Sequence, residues 1–219
     1  MSDSGIFVFK HPFTCVIAGA SGSGKTHFLT ELLLHSDETV DRPIHRVIYC
    51  YGANVPDTFQ KLRARYPDLE TYEGINPELK FNPRINNLII LDDLMLDTVK
   101  SETVCNYFTK TSTKSNLSVI LLTQNLFQQG SFARTINRNS NYIIYFKNPR
   151  DSQQIQVLAR QMFPGRSSVM LESFADATSR PHGYLWIDFR QDTEDQYRLK
   201  TNLLPSDPDL PAVYVPKKY

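Results

Sequence analysis

A chain of 219 residues, 41% hydrophobic and 21% charged, is long enough to bury the core of one α/β domain and short for two. That balance excludes an intrinsically disordered chain, and a formal net charge of +1 excludes attachment to DNA or an acidic membrane through bulk charge alone. Cys15, Cys50 and Cys105 are odd in number and far apart, with no C-x-x-C, which argues against a disulfide framework or a zinc site and for a reducing, intracellular setting.

The opening "MSDSGIFVFKHPFTC" has no basic start, long apolar segment or small-residue cleavage site, so it reads as part of the fold. "FTCVIAG" (13–19) predicts a strand, and it runs directly into "GASGSGKTH". Gly19, Gly24, Lys25 and Thr26 match the P-loop spacing, in which a strand leads through a glycine-rich turn into a helix. Such a loop wraps backbone N–H groups and a helix N-terminus around a β-phosphate. We therefore assign Gly19, Ala20, Ser21, Gly22, Ser23, Gly24, Lys25, Thr26 and His27 to a nucleotide cradle. Lys25 would bridge the β- and γ-phosphates, and the Thr26 hydroxyl would be a ligand to Mg²⁺ beside ATP.

Beyond the helix "THFLTELLL", the run "RVIYCYG" (46–52) predicts a second strand and "DTFQKLRARY" a second helix. "NLIILDD" (87–93) is an apolar strand ending in two carboxylates. Asp92 is positioned to hold Mg²⁺ through water, and Asp93 to accept a proton from the water that attacks the γ-phosphate. That pairing favours hydrolysis over phosphorylation of a small molecule. "DTVKSETVCNYFTKTS" predicts a helix with Leu96, Val99, Val104, Tyr107 and Phe108 near one face.

The strand "LSVILLTQ" (117–124) delivers Thr123, Gln124 and Asn125, with Gln124 the preferred γ-phosphate sensor and Asn125 the alternative. "FARTINRNSN" holds Arg134 and Arg138, and "KNPRD", after the strand "NYIIYFK" (141–147), holds Arg150. As a set the three are candidates for an arginine finger, a group often supplied by a neighbouring subunit, and they suggest a ring that completes its site between subunits. "DSQQIQVLARQMF" then spaces Ile155, Leu158, Ala159 and Met162 along one helix face, with Asp151 or Ser152 as its cap. "GYLWIDF" (183–189) is the sixth strand. From Leu204 the segment "LPSDPDLPAVYVPKKY" carries four prolines and is expected to be an extended, loosely packed tail (204–219) beyond an ATPase domain spanning 1–203. No apolar run approaches the ~20 residues that span a bilayer, so no membrane partner is expected.

Strands alternating with helical segments, several of them continuously apolar, predict an α/β fold with a mostly parallel sheet covered on both faces. The stretches "PFTCVIAGASGSGKTHF", "LIILDDLM", "VILLTQNLFQQG", "NSNYIIYFKNPRDSQQIQVLARQMFPG" and "DATSRPHGYLWIDF", in this order, resemble genome-packaging ATPases of the FtsK/HerA superfamily. The likeness is greatest to the poxvirus-type versions found in adintoviruses and Maverick or Polinton elements, and it runs from residue 12 to about 189. It implies a RecA-like P-loop domain that assembles into a homo-oligomeric ring of five or six subunits. It further implies ATP-driven movement of double-stranded DNA through a viral capsid vertex, at a virion assembly site in the host nucleus or cytoplasm. By the same likeness Asp92 is the metal-directed acid, Asp93 the catalytic acid and Gln124 the sensor. Asp93 departs from the family's frequent Glu and so requires the attacking water to sit closer. Lys110, Lys114 and Lys147 are candidates for a basic pore. Two further readings are another P-loop motor such as a helicase, and a domesticated ATPase acting as an interaction protein.

Overall fold

The structure is a computed structural model that describes residues 3–53, 55–94, 101–127 and 132–216. Its centre is a nine-stranded sheet comprising β1 (Thr14–Ala18), β2 (Arg46–Tyr51), β3 (Glu70–Glu73), β4 (Asn87–Asp92), β5 (Leu117–Thr123), β6 (Tyr142–Phe146), β7 (Tyr184–Asp188), β8 (Leu199–Thr201) and β9 (Ala212–Val213). The spatial order is β3-β2-β4-β5-β1-β6-β7-β8-β9. Strands β1 to β6 are mutually parallel, whereas β7, β8 and β9 add antiparallel.

All residues of β1, β4, β5, β6 and β7 are buried, as their unbroken apolar runs require when helices cover both faces. One face holds Cys15, Ile17, Val47, Tyr49, Leu88 and Ile90 against α1 (Lys25–Leu34) and α3 (Pro56–Arg65). The short α2 (Ser36–Thr39) lies between them in sequence. From α1, Phe28, Leu29, Leu32 and Leu33 are almost fully buried, and each such side chain stabilises the fold by about 1.5–3 kcal/mol.

The opposite face holds Val16, Ile48, Ile89, Val119 and Ile143. It is covered by α4 (Glu102–Asn106), α5 (Ala133–Arg138), α6 (Gln153–Met162) and α7 (Ser168–Ala177). Val104, Tyr107 and Phe108 pack inward as their spacing predicts, but α4 passes into a π-helical turn, Tyr107–Thr111. Leu96 and Val99 lie outside the described residues. At the start of α6 the Asp151 carboxylate accepts the Gln153 N–H at 3.1 Å and Ser152 makes no side-chain cap bond.

The segment beyond Leu204 departs in part from the extended, loosely packed arm expected of it. Leu204 is buried, the Leu204 N–H donates to Asp207 Oδ2 at 2.8 Å, and Ala212–Val213 pairs with β8 as the sheet's last strand. Alternation over two residues is too short a signal to reveal such a strand in sequence. Among the described residues no helix is long and apolar enough to cross a membrane.

Candidate active site

The strand order positions the polar groups. β5 lies between β1 and β4, with Ala18 level with Thr123 and Asp92 level with Leu122. The Gly19 N–H donates to the Thr123 carbonyl at 3.2 Å, so the three strands end in one row. Parallel sheets bind ligands at this carboxyl edge. A cleft of about 340 Å³ opens there, lined among others by Gly24, Lys25, Thr26, Asp92, Asp93 and Gln124.

The loop between β1 and α1 has Gly22 at φ 75° and Gly24 at φ 106°, a left-handed backbone that residues with a side chain rarely adopt. Gly24 is the N-cap of α1, no side chain caps the helix, and its first turn holds no acidic residue. The first-turn N–H groups, which have no intrahelical acceptor, are thereby left for an anion, as a triphosphate requires. Lys25 Nζ donates to the Gly19 carbonyl at 2.7 Å and the Ala20 carbonyl at 2.9 Å. Burial lowers the Lys25 pKa, opposed by the charges of Asp92 and Asp93.

Asp92 is 8% exposed. Burial raises its pKa, neighbouring Asp93 adds to that, and the hydrogen bond from Tyr49 and the charge of Lys25 oppose it. Lysine and carboxylate both move toward neutrality, so burial outweighs their mutual attraction. With Lys25, Asp92 and Asp93 all ionised, the cluster carries one net negative charge, a setting suited to a divalent cation. A threonine hydroxyl and a carboxylate, with phosphate oxygens, are the oxygen donors Mg²⁺ takes at such sites, so Thr26 and Asp92 fit that ion.

Sequence reasoning missed three groups that shape this site. Tyr49 on β2 donates its hydroxyl to Asp92 Oδ2 at 2.6 Å; a tyrosine inside a buried apolar strand, which needs a partner for its hydroxyl, was the available signal. Gly52 permits close approach, since a Cβ there would lie 2.2 Å from the Asp93 carbonyl oxygen. Asp93 itself takes φ 53°, a left-handed conformation that, among residues with a side chain, Asp and Asn adopt most readily. His182, at φ 63°, lies over the phosphate loop with Nδ1 3.1 Å from the Ser23 carbonyl. That spacing assigns the ring proton to Nδ1 as donor.

Gln124 is exposed in the cleft. Asn125 is turned away from it, its Oδ1 accepting from Gln154 Nε2 at 3.3 Å, which leaves Gln124 as the group facing a phosphate. Among the described residues no arginine lines the cleft of its own chain. Arg134 and Arg138, both exposed, share a separate groove with Leu126, Asn137 and Gln161. Arg138 stands beside Asn139, whose carbonyl accepts the Thr14 hydroxyl at the amino end of β1, the edge of the sheet opposite the phosphate loop. Arg150 is exposed in the loop after β6, its N–H donating to Asn148 Oδ1 at 3.1 Å.

No family model matches this sequence, and no curated protein matches it. Among solved structures, the chain is similar to the genome-packaging NTPase B204 of Sulfolobus turreted icosahedral virus 2 in complex with ATP-gammaS. The TM-score is 0.51 at 12% identity, over 83% of this chain and 94% of that one. It also overlaps the cytoplasmic domain of the type VII secretion ATPase EccC of Thermomonospora curvata, with TM-score 0.49 and 11% identity over 86% of this chain and 23% of that one. EssC ATPases 2 and 3 of Geobacillus thermodenitrificans give TM-score 0.47 and 16% identity over 67% and 34%. The latter two, below 0.5, have no bearing on fold or function. At 12% identity the likeness to B204 is one of fold: this chain has the α/β fold of a P-loop NTPase, with a mostly parallel sheet between two helical layers.

Proposed function

We propose that this chain hydrolyses ATP and uses the reaction to drive double-stranded DNA into a preformed viral capsid, working as a ring of five or six copies. The observation that carries the hydrolytic part is the convergence of Lys25, Thr26, Asp92, Asp93 and Gln124 on one cleft at the carboxyl edge of three adjacent strands. Support for the DNA substrate comes from the resemblance of the sequence blocks to FtsK/HerA packaging ATPases and from the fold likeness to a protein described as a genome-packaging NTPase.

In this reading the N–H groups of the loop and the first turn of α1 hold the β-phosphate, and Lys25 leaves its own loop carbonyls to reach the γ-phosphate. Thr26 and Asp92 would hold Mg²⁺, which when bound supplies charge neutralisation to the phosphoryl oxygens. Asp93 takes the proton of the attacking water as its oxygen bonds to the γ-phosphorus. The bond to the β–γ bridging oxygen breaks, and the charge left on the β-phosphate is met by the loop N–H groups and Lys25. Gln124 orients the water or the γ-phosphate.

Among the described residues no arginine lines the cleft of its own chain, so a transition-state arginine among Arg134, Arg138 and Arg150 comes from a neighbouring copy, and the site is completed by ring assembly. Lys110, Lys114 and Lys147 are exposed, as pore groups on DNA phosphates must be. The test is steady-state hydrolysis of Mg-ATP with and without duplex DNA, together with particle mass in ATPγS and duplex. Stimulation by duplex and a particle of five or six subunits are expected. Hydrolysis indifferent to DNA from a particle that stays monomeric would refute the motor. Strand displacement under the same conditions would instead assign unwinding.

A further inference from the structure

The hydrolytic steps leave Tyr49 without a role, although it is wholly buried and bonded to Asp92. We propose that Tyr49 makes Asp92 a one-oxygen ligand and thereby sets the preference of the site for Mg²⁺ over larger divalent cations such as Ca²⁺. This inference rests on the reading of Asp92 as the metal-directed acid. Tyr49 does not line the cleft; it is a positioning residue that acts through Asp92.

The sheet brings the two residues together. Tyr49 is level with Ile90 and Tyr51 with Asp92, and alternate residues of a strand share a face, so Ile90 and Asp92 lie on the same side of β4. Tyr49 and Ile90 both belong to the core beneath α1 and α3, so the phenol needs to reach only one step along the neighbouring strand. Its hydroxyl donates to Asp92 Oδ2 at 2.6 Å, the length of a charge-assisted O–H···O⁻ bond. The ring meets Phe59 of α3 edge-on, with centroids 5.1 Å apart and planes at 77°, so packing fixes the hydroxyl where it is. Burial also raises the Tyr49 pKa, which keeps the phenol a donor.

The other carboxylate oxygen is left for a cation. Among the described residues no group donates to Asp92 Oδ1, and Lys25 directs its ammonium to the Gly19 and Ala20 carbonyls. Asp92 therefore has one occupied oxygen and one available in the cleft that Thr26 also lines. Mg²⁺ is small, demands octahedral geometry and keeps several of its waters, so a single carboxylate oxygen suits it, directly or through a bound water. Ca²⁺ takes about six to eight oxygens and can take both from one carboxylate. The Tyr49 hydrogen bond denies it the second oxygen of Asp92, and Tyr49→Phe would return that oxygen.

The test is titration calorimetry of ATPγS on the full chain in Mg²⁺, in Ca²⁺ and in EDTA, with the wild type, Tyr49→Phe, Asp92→Asn and the double variant. The wild type is expected to bind about tenfold more tightly with Mg²⁺ than with Ca²⁺, and Tyr49→Phe to lose about tenfold with Mg²⁺, as when the partner of a metal ligand is removed. With Ca²⁺ the variant is expected to keep its affinity, so the preference disappears. Its affinity in EDTA should match the wild type within about twofold, and in the Asp92→Asn background the second substitution should leave the Mg²⁺-to-Ca²⁺ ratio unchanged within the same margin. A wild type with no preference between the two cations overturns the inference without recourse to any variant. An unchanged ratio in Tyr49→Phe, an equal loss in EDTA, or the same shift in the Asp92→Asn background would each overturn it as well, and all four results leave Asp92 as the metal-directed acid. Wild-type affinity that is the same in EDTA and in Mg²⁺ overturns the metal reading of Asp92 and this inference together.

Discussion

The two edges of the same parallel sheet dispose of their polar side chains in opposite ways. At the amino edge, Asn87 Nδ2 lies within hydrogen-bond distance of the carbonyls of Asn82, Ile85, Ser115 and Asn116, and Asn116 Nδ2 donates to the Ile85 carbonyl and Asn86 Oδ1. Thr14 and Asn141 bond each other, and Ser118 Oγ meets His11 Nδ1 at 2.6 Å. These groups join strand starts and loops that would otherwise leave carbonyls without donors. At the carboxyl edge, Lys25, Asp92, Asp93 and Gln124 face a cleft instead. Polar groups that satisfy the protein stabilise it, whereas polar groups held beside an open cleft cost stability and are available to a ligand.

Substitutions at the two edges should therefore separate activity from stability. The largest effect on turnover is expected for Asp93→Asn, which removes the proton acceptor and lowers hydrolysis by about 10²–10⁴-fold with ATP binding retained, as measured by steady-state assay and calorimetry. Asp92→Asn sharpens the contrast, because it should weaken Mg²⁺-dependent hydrolysis by a smaller factor yet raise the melting temperature of the nucleotide-free protein. Burial raises the folded-state pKa of Asp92, so at pH above that pKa the ionised carboxylate destabilises the fold. The gain from Asn is therefore fully present at neutral and alkaline pH, and it shrinks as pH falls through the raised pKa and the wild-type carboxylate protonates. Melting curves across pH check this, and a variant less stable than wild type at pH 8 would contradict it. At the other edge, Asn87→Ala should cost about 2–4 kcal/mol in denaturant unfolding, because buried carbonyls lose their donor. Its turnover per folded molecule should stay at the wild-type level.

What could be read from the sequence follows the same division between local and distant causes. Six strands were visible because each is a continuous apolar run, and the phosphate loop because its glycines, lysine and threonine are contiguous. Strand β3, "ETYE", was not visible, being a polar edge strand that pairs only with β2. Strand β8, "LKT", conceals a lysine only 2% exposed, whose ammonium is held by Asp188, the Ile6 carbonyl and the face of Trp186. No local pattern announces a buried charge with three distant partners. The site divides likewise: Asp92 and Gln124 stand at strand ends, whereas Tyr49 reaches Asp92 across 43 positions and His182 reaches Ser23 across 159.

The measurement closest to the central claim is the rate of Mg-ATP hydrolysis by the wild type and by Lys25→Ala, at matched melting temperature and with duplex DNA present. Lys25 is the cation nearest the phosphate cradle and carries no core packing, so the variant should keep its fold and lose at least about 100-fold in rate. Equal, background-level rates for the two proteins would contradict the assignment of this cleft as a hydrolytic site.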